Sequence, residues 1–173
     1  MDTTGQRRWI DNVLIHAFPN GASLFQCGLA ELMQPGWPAN IGLVVMAAHE
    51  VKATIQSCVT ETFDAAMNDA FDPPEDEAQA IWDLANKAAD RGKAVLDSGR
   101  SVVSCCAMGH NRSALISGLI LVRCGVPWRN AIDLTRHMRG PLSFNNPTFV
   151  GMVARNGPVS KCKNCGSHVR ITE

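Results

Sequence analysis

Apolar residues along the chain form short blocks separated by glycine, proline and polar residues. The block at 41–46 is apolar throughout, which is typical of a strand covered on both faces of a sheet. Other blocks of strand length lie at 12–15, 23–26 and 101–104, with a weaker one at 58–63. The turn residues Pro19, Asn20 and Gly21 lie between the first two of these blocks, and each block is predicted to be a strand.

Helical periodicity appears between and after these strands, and it predicts helices over about 75–96, 113–124, 127–138 and 147–154. Gly92 is a position where the first helix can kink or end early. Gly125 and Pro127 close the second helix. Asn146 is expected to be the N-cap of the last helix. Strands and helices alternate, which predicts an α/β fold with a central, mostly parallel sheet flanked by helices.

Composition narrows the class of protein without identifying it. Hydrophobic residues make up 46% and charged residues 18% of the 173 residues, which is typical of one globular domain. Sixteen Lys and Arg residues balance sixteen Asp and Glu residues, so the chain has no net positive charge that would indicate nucleic-acid binding. No apolar run is long enough to span a membrane, and seven cysteines without a signal peptide favour a reducing compartment. We expect a cytoplasmic protein with one compact domain over 1–154 and a separate basic tail over 155–173.

The segment 102–113, Val-Val-Ser-Cys-Cys-Ala-Met-Gly-His-Asn-Arg-Ser, carries the strongest chemical signal. It joins a buried strand to a buried helix, which is where open α/β sheets usually bind ligands. Loop amides and the helix N-terminus form a concavity suited to phosphate, and Gly109 lets the backbone turn tightly beside it. Cys106 in such a position is favoured as a thiolate, and Arg112 can hold two phosphate oxygens at once.

This segment resembles the phosphate-binding loop of the protein tyrosine phosphatase superfamily, Cys-x-x-Gly-x-x-Arg-Ser/Thr, and the layout is most similar to its dual-specificity branch. The resemblance covers about 12–154, and the matches outside the loop, at 23–28, 44–50 and 145–149, are loose. It implies that Cys106 attacks phosphorus to form a phosphocysteine, that Arg112 and the loop amides stabilise the transferring group, and that Ser113 assists departure of the thiolate. The residues expected to contact substrate are Ala107, Met108, Gly109, His110 and Asn111.

The resemblance also implies an aspartate general acid on an upstream loop, and two aspartates are candidates. Asp69 and Asp72 lie on the loop that precedes the first long helix. We favour Asp69 because the segment 67–69 follows the weak strand, as the family's acid-bearing segment does. The alternative for either aspartate is a solvated carboxylate before a helix N-terminus.

Cys105 departs from the family pattern, in which histidine usually precedes the nucleophile. The histidine supports the loop and favours the thiolate, so its replacement affects the expected rate and pH optimum. One interpretation is that Cys105 resolves an oxidised Cys106. The interpretation we favour is that Cys105 is a small buried apolar side chain. For the late-helix residues Arg136, His137 and Arg139, exposed charges on an amphipathic helix are the favoured interpretation, and added positive charge near the site is the alternative.

The tail contains Cys162, Cys165 and His168, a Cys-x-x-Cys pair with a nearby histidine. A structural zinc site needs four ligands, and only three lie together here. A basic tail without metal is the favoured interpretation, and a zinc site completed from elsewhere is the alternative.

These residues predict a phosphomonoester hydrolase that needs no cofactor and acts on phosphorylated proteins or small phosphoesters. The loop carries no lysine, so a highly anionic substrate is less favoured. The main alternative is a catalytically weak module that binds phosphorylated partners. A sulfur-transfer or arsenate-reducing enzyme on a similar anion loop is a third, less favoured possibility.

Overall fold

The structure is a computed structural model that describes residues 9–52 and 61–155. A 3₁₀ turn, Trp9–Asn12, precedes the first strand. The strands are β1 Leu14–Ala17, β2 Ser23–Gly28, β3 Ile41–Met46, β4 Thr62–Asp64 and β5 Ser101–Cys106. The helices are α1 Leu29–Leu32, α2 His49–Lys52, α3 Glu75–Asp97, α4 Arg112–Arg123, α5 Trp128–Arg139 and α6 Pro147–Ala154.

The five strands form one sheet in the order β1-β2-β5-β3-β4. β1 is antiparallel to β2, and the remaining pairs are parallel, so the predicted α/β fold with a mostly parallel sheet is confirmed. β5 lies in the centre and is buried along its whole length. Because β2, β3 and β5 run in the same direction, their carboxyl ends meet at one edge, where the loop after β5 emerges.

α4 is the central helix, since it contacts α3, α5 and α6 as well as β5. Every residue from 113 to 122 is buried. A Cβ atom on Gly92 would lie 2.6 Å from Ile120 Cδ1, so glycine there permits close packing of α3 on α4. α3 continues through this position to Asp97, and Gly92 therefore serves packing rather than ending the helix early.

Several boundaries differ from the sequence-based expectation. β1 begins at Leu14 rather than at Asn12, because Asn12 belongs to the preceding 3₁₀ turn. β5 continues to Cys106, two residues beyond the predicted end. The predicted strand 58–63 is observed only as β4, and its residues 58–60 lie outside the described residues. The one-turn helices α1 and α2 were not predicted, because four residues are too few to show a helical period.

The tail lies outside the described residues from position 156 onward, and the three candidate zinc ligands Cys162, Cys165 and His168 lie there with it. Among the residues that the structure does describe, no helix has the length and apolar character that crossing a membrane requires.

Candidate active site

The phosphate loop, residues 106–113, starts at the last residue of β5 and ends in the first turn of α4. Gly109 has a φ of +74°, a conformation that side chains with a Cβ rarely adopt. A Cβ atom there would lie 2.5 Å from Gly28 N and 2.8 Å from Arg139 Nη2. Only glycine therefore fits at this point of the loop, and both its conformation and the close packing around it require that residue.

Cys106 Sγ lies inside this loop and has two hydrogen-bond partners. The Gly109 backbone N–H donates to the sulfur at 3.2 Å, and the Ser113 hydroxyl lies 3.2 Å from it. Cys106 is only 2% exposed. The sulfur thus lies next to the N-terminus of a buried helix, among donors that stabilise a thiolate.

Arg112 is the first residue of α4, and its side chain is 15% exposed. Its Nη1 donates to the Met67 carbonyl at 3.5 Å and lies 3.8 Å from Glu50 Oε2. The buried Nε has no hydrogen-bond partner within the described residues. The guanidinium is therefore held on one side by α2 and the segment after β4, and its buried Nε–H is a donor not used by those contacts.

Neighbouring elements support the loop from behind. Gln26, a buried polar residue of β2, donates from Nε2 to the Gly109 carbonyl at 2.9 Å and to the Ser143 hydroxyl at 3.1 Å. Ser143 in turn donates to the His110 carbonyl at 3.2 Å. On the other side, Leu29 N donates to the Ala107 carbonyl at 3.0 Å. Three loop carbonyls, those of Ala107, Gly109 and His110, are thus tied to β2, α1 and the segment before α6.

Arg139 does not have the exposed position expected from the sequence. Its side chain is 8% exposed and forms two hydrogen bonds with the Glu31 carboxylate, at 2.9 and 2.8 Å. Glu31 also accepts a hydrogen bond from Gly28 N at 2.7 Å. Arg136 likewise binds the carbonyls of Ser143 and Phe144. The expectation of an exposed charge was wrong for Arg139, whereas Arg136 and His137 are exposed as expected.

Asp69 reaches the loop through side-chain amides. Asn111 Nδ2 donates to Asp69 Oδ2 at 3.1 Å, and Asn146 Nδ2 donates to Asp69 Oδ1 at 2.9 Å. Asn146 Nδ2 also donates to the Ala70 carbonyl at 3.0 Å. Both carboxylate oxygens are therefore oriented by amides that belong to the phosphate loop and to the start of α6.

Asn111 and Asn146 form the centre of this arrangement. The Asn111 side-chain oxygen accepts from the backbone N–H groups of Asn145 and Asn146, at 3.1 and 3.3 Å. Asn146 caps α6 through a hydrogen bond from Thr148 N at 3.0 Å, as the sequence predicted. Asp72, by contrast, is exposed, and the described residues show no hydrogen bond between it and the phosphate loop. The structure thus brings Asp69, and not Asp72, onto the loop that holds Cys106.

Comparisons with known proteins identify the fold that carries this site. No family model and no curated protein sequence matches the chain. Solved structures do match it. The chain is similar to human DUSP28, with 17% identity over 83% of this chain and 92% of that one, at a TM-score of 0.63. This chain has the dual-specificity phosphatase fold.

Two further structures agree. One is a mouse putative dual specificity phosphatase complexed with zinc tungstate, with 16% identity over 88% of this chain and 91% of that one, at a TM-score of 0.60. The other is PTPMT1 in complex with PI(5)P, with 14% identity over 82% and 92%, at a TM-score of 0.56. At these identities the likeness concerns the dual-specificity phosphatase fold, and the chemistry depends on the residues described above.

Cys105 lies on β5 within this dual-specificity phosphatase fold, opposite Cys27 of β2. Both cysteines are fully buried, and neither forms a disulfide. The pKa of the Cys27 thiol is raised well above its ordinary value. The hydrogen bond with Cys105 is the larger cause, and burial is the second. Successive strand residues point to opposite faces, so Cys105 and Cys106 direct their sulfurs apart. This placement supports the interpretation of Cys105 as a small buried side chain that contacts Cys27.

The remaining loop residues differ in exposure. Ala107 and His110 are half-buried, and His110 contributes its carbonyl to Ser143. Met108 is 70% exposed. The sequence had not indicated Gln26, Glu31 or Ser143 as supports of the loop. For Gln26 a signal exists, since it is an uncharged polar residue inside an otherwise apolar strand, and buried polar groups need partners.

Proposed function

We propose that this chain is a cysteine-dependent phosphomonoester hydrolase. The observation that carries the proposal is the placement of Cys106 Sγ, which lies 3.2 Å from both Gly109 N and Ser113 Oγ at the mouth of the buried helix that begins with Arg112. A thiolate, loop amides and a guanidinium at one helix N-terminus suit a tetrahedral dianion such as a phosphoryl group. The dual-specificity phosphatase fold supports this assignment.

In the first step the Cys106 thiolate attacks phosphorus. An S–P bond forms while the bond from phosphorus to the leaving oxygen breaks. Arg112 and the loop amides stabilise the charge on the three oxygens that stay with phosphorus. The protonated Asp69 carboxyl gives its proton to the departing oxygen, so the product leaves as an alcohol or phenol. The hydrogen bond between Asn111 and Asp69 supports this choice of acid.

In the second step a water molecule attacks the phosphocysteine. The Asp69 carboxylate takes the proton of that water, an O–P bond forms and the S–P bond breaks. Cys106 leaves as a thiolate, and the Ser113 hydroxyl donates a hydrogen bond to it. Inorganic phosphate is released, and the enzyme returns to its starting state without any cofactor.

The proposal predicts hydrolysis of a simple aryl phosphate such as p-nitrophenyl phosphate. Replacement Cys106→Ser removes the nucleophile and should lower turnover by about 10⁴-fold or more. Cys105→Ser is the matched control, because it removes a neighbouring buried thiol that faces away, and it should keep most of the activity. Phosphate binding to the wild-type protein without turnover would instead support the alternative, a module that recognises phosphorylated partners. Equal activity in both variants would exclude Cys106 as the nucleophile.

A further inference from the structure

The described residues leave four large apolar side chains strongly exposed: Met33 at 60%, Phe71 at 56%, Met108 at 70% and Leu142 at 56%. Single exposed apolar residues are ordinary, but their distribution here is not uniform. Three of them lie on segments of the candidate active site: Met108 on the phosphate loop, Phe71 on the segment that carries Asp69, and Leu142 on the segment before α6. We call these three residues the apolar rim.

Hydrogen bonds place each member of the rim beside the phosphate loop. Met108 belongs to that loop. Leu142 precedes Ser143, whose hydroxyl donates to the His110 carbonyl. Phe71 lies two residues after Asp69, which accepts a hydrogen bond from Asn111, and two residues of chain span at most about 7 Å. The Phe71 carbonyl itself accepts a hydrogen bond from the Thr148 hydroxyl. The rim therefore lies around the mouth of the phosphate site.

The charged side chains near the rim are not placed to bind a second anionic group of the substrate. Arg136 and Arg139, the nearest arginines along the chain to Leu142, are bound to backbone carbonyls and to Glu31. Arg112 belongs to the phosphate site itself. The exposed carboxylates Asp69 and Asp72 flank Phe71 in the sequence. A substrate with acidic groups or extra phosphates beside the reacting one would therefore meet carboxylates and apolar surface.

From this arrangement we infer that the substrate is a protein segment carrying a single phosphate, with apolar side chains next to the phosphorylated residue. The inference rests on the proposed function, because it assigns a substrate class to the same site. The phosphate enters the loop, and the flanking apolar side chains cover Phe71, Met108 and Leu142. Burial of apolar surface on binding then adds affinity that a phosphate alone does not obtain.

The test compares three phosphotyrosine peptides that differ only in the two residues beside the phosphorylated one: leucine, serine or glutamate. We expect kcat/KM for the leucine peptide to exceed that for the serine peptide about tenfold, which corresponds to burial of roughly one apolar side chain, with the glutamate peptide lowest. A soluble short-chain phosphoinositide bisphosphate, tested alongside, should be the poorer substrate. Preference for the glutamate peptide or for the phosphoinositide would overturn the inference.

The double replacement Phe71→Ser with Leu142→Ser tests the rim directly. It should reduce the preference for the leucine peptide over the serine peptide to less than about threefold, since most of the apolar contact is gone. Thermal unfolding of the double variant should match that of the wild type, because both replaced side chains are exposed, and this shows that any lost preference is not a loss of fold. Met33→Ser is the matched control, because Met33 is equally exposed but lies beyond α1, and it should keep the full preference. An unchanged preference in the double variant would refute the role of the rim.

Failure of the proposed function is distinguishable from failure of this inference. Absence of turnover with every phosphoester contradicts the hydrolase, whereas turnover without peptide preference contradicts only the rim. Binding of the same three peptides to Cys106→Ser, measured by calorimetry, tests the preference without any chemical step. The leucine peptide should bind that variant most tightly, and equal affinities would overturn the inference even if no turnover is found.

Discussion

The phosphate loop and the segment that carries Asp69 face the same site but are held in different ways. The phosphate loop is fixed first by its backbone: a left-handed glycine, a buried strand on one side and a buried helix on the other, with the side chains of Gln26 and Ser143 as added support. The Asp69 segment is fixed by side chains, namely the amides of Asn111 and Asn146. Damage to the first should affect the fold and the whole reaction, while damage to the second should affect only proton transfer.

The largest expected effect comes from Gly109→Ala, which disturbs the backbone conformation of the phosphate loop. Alanine would have to adopt a φ near +74° with its Cβ 2.5 Å from Gly28 N. We expect a loss of about 2–4 kcal/mol in the free energy of unfolding, together with loss of turnover. Gly21→Ala is the control, because Gly21 also has a positive φ of +84° but no atom within 4 Å of the added Cβ. Urea denaturation of both variants would show whether close packing matters beyond backbone conformation. Equal losses would contradict the special constraint on the loop.

The next effect concerns the general acid. Asp69→Asn should lower turnover of alkyl phosphates, which have poor leaving groups, by about 10²–10³-fold, because proton transfer to the departing oxygen is lost. Turnover of nitrophenyl phosphate, whose leaving group needs little assistance, should fall much less. Asp72→Asn is the matched control, and it should change neither rate by more than about twofold. The opposite ranking of the two variants would assign the acid to Asp72.

A smaller effect separates the two roles of Asn146, which caps α6 and holds Asp69. Asn146→Ser keeps an N-cap oxygen but loses the amide donors to Asp69 and Ala70. We expect about tenfold slower turnover of alkyl phosphates with little loss of stability. Asn146→Ala loses the cap as well and should cost about 1 kcal/mol more in the free energy of unfolding. An altered pH–rate profile in Asn146→Ser would identify a positioning role, since a cap alone does not change that profile.

The smallest effect tests the strand pair beneath the phosphate loop. The pKa of Cys27 is held well above its ordinary value of 9.0 by the hydrogen bond with Cys105 and by burial. Below pH 9 both the folded and unfolded states keep this proton, so the contribution to stability is fully present. As pH rises above about 9 the unfolded state loses the proton first, and stability falls by up to about 1.4 kcal/mol per pH unit.

Cys27→Ala should therefore show a shallower loss of stability between pH 9 and 10 than the wild-type protein. Chemical denaturation at several pH values measures this slope. Parallel curves for the two proteins would mean that Cys27 does not keep its proton in the folded state.

The sequence predicted those parts of the molecule whose cause is local. The run Ile41–Met46, the N-cap Asn146 and the loop around Gly109 each depend on residues adjacent in the chain, and each was placed correctly. Cysteine, glycine and arginine at fixed spacing after an apolar strand also required no distant partner. For these features, local chemistry and tertiary structure agree.

The supports of the site depend on distant residues, and they could not be predicted. Arg139 lies on an amphipathic helix, where an exposed charge is the ordinary expectation, yet its partner Glu31 is 108 positions away. Gln26 reaches a carbonyl 83 positions later in the chain. Asn146 was recognised as a cap, but its bond to Asp69 depends on how α6 packs beside the loop before α3. No periodicity within a single segment contains such information.

The complete enclosure of α4 also restricts how this protein can evolve. The helix that presents Arg112 has ten consecutive buried residues, from Ser113 to Val122, so it cannot shift without disturbing its neighbours on several sides. A new substrate specificity cannot easily arise through a change in the orientation of α4 and of the phosphate loop that precedes it. Natural variation should instead concentrate on exposed side chains of the loop, such as Met108, where exchange costs little stability.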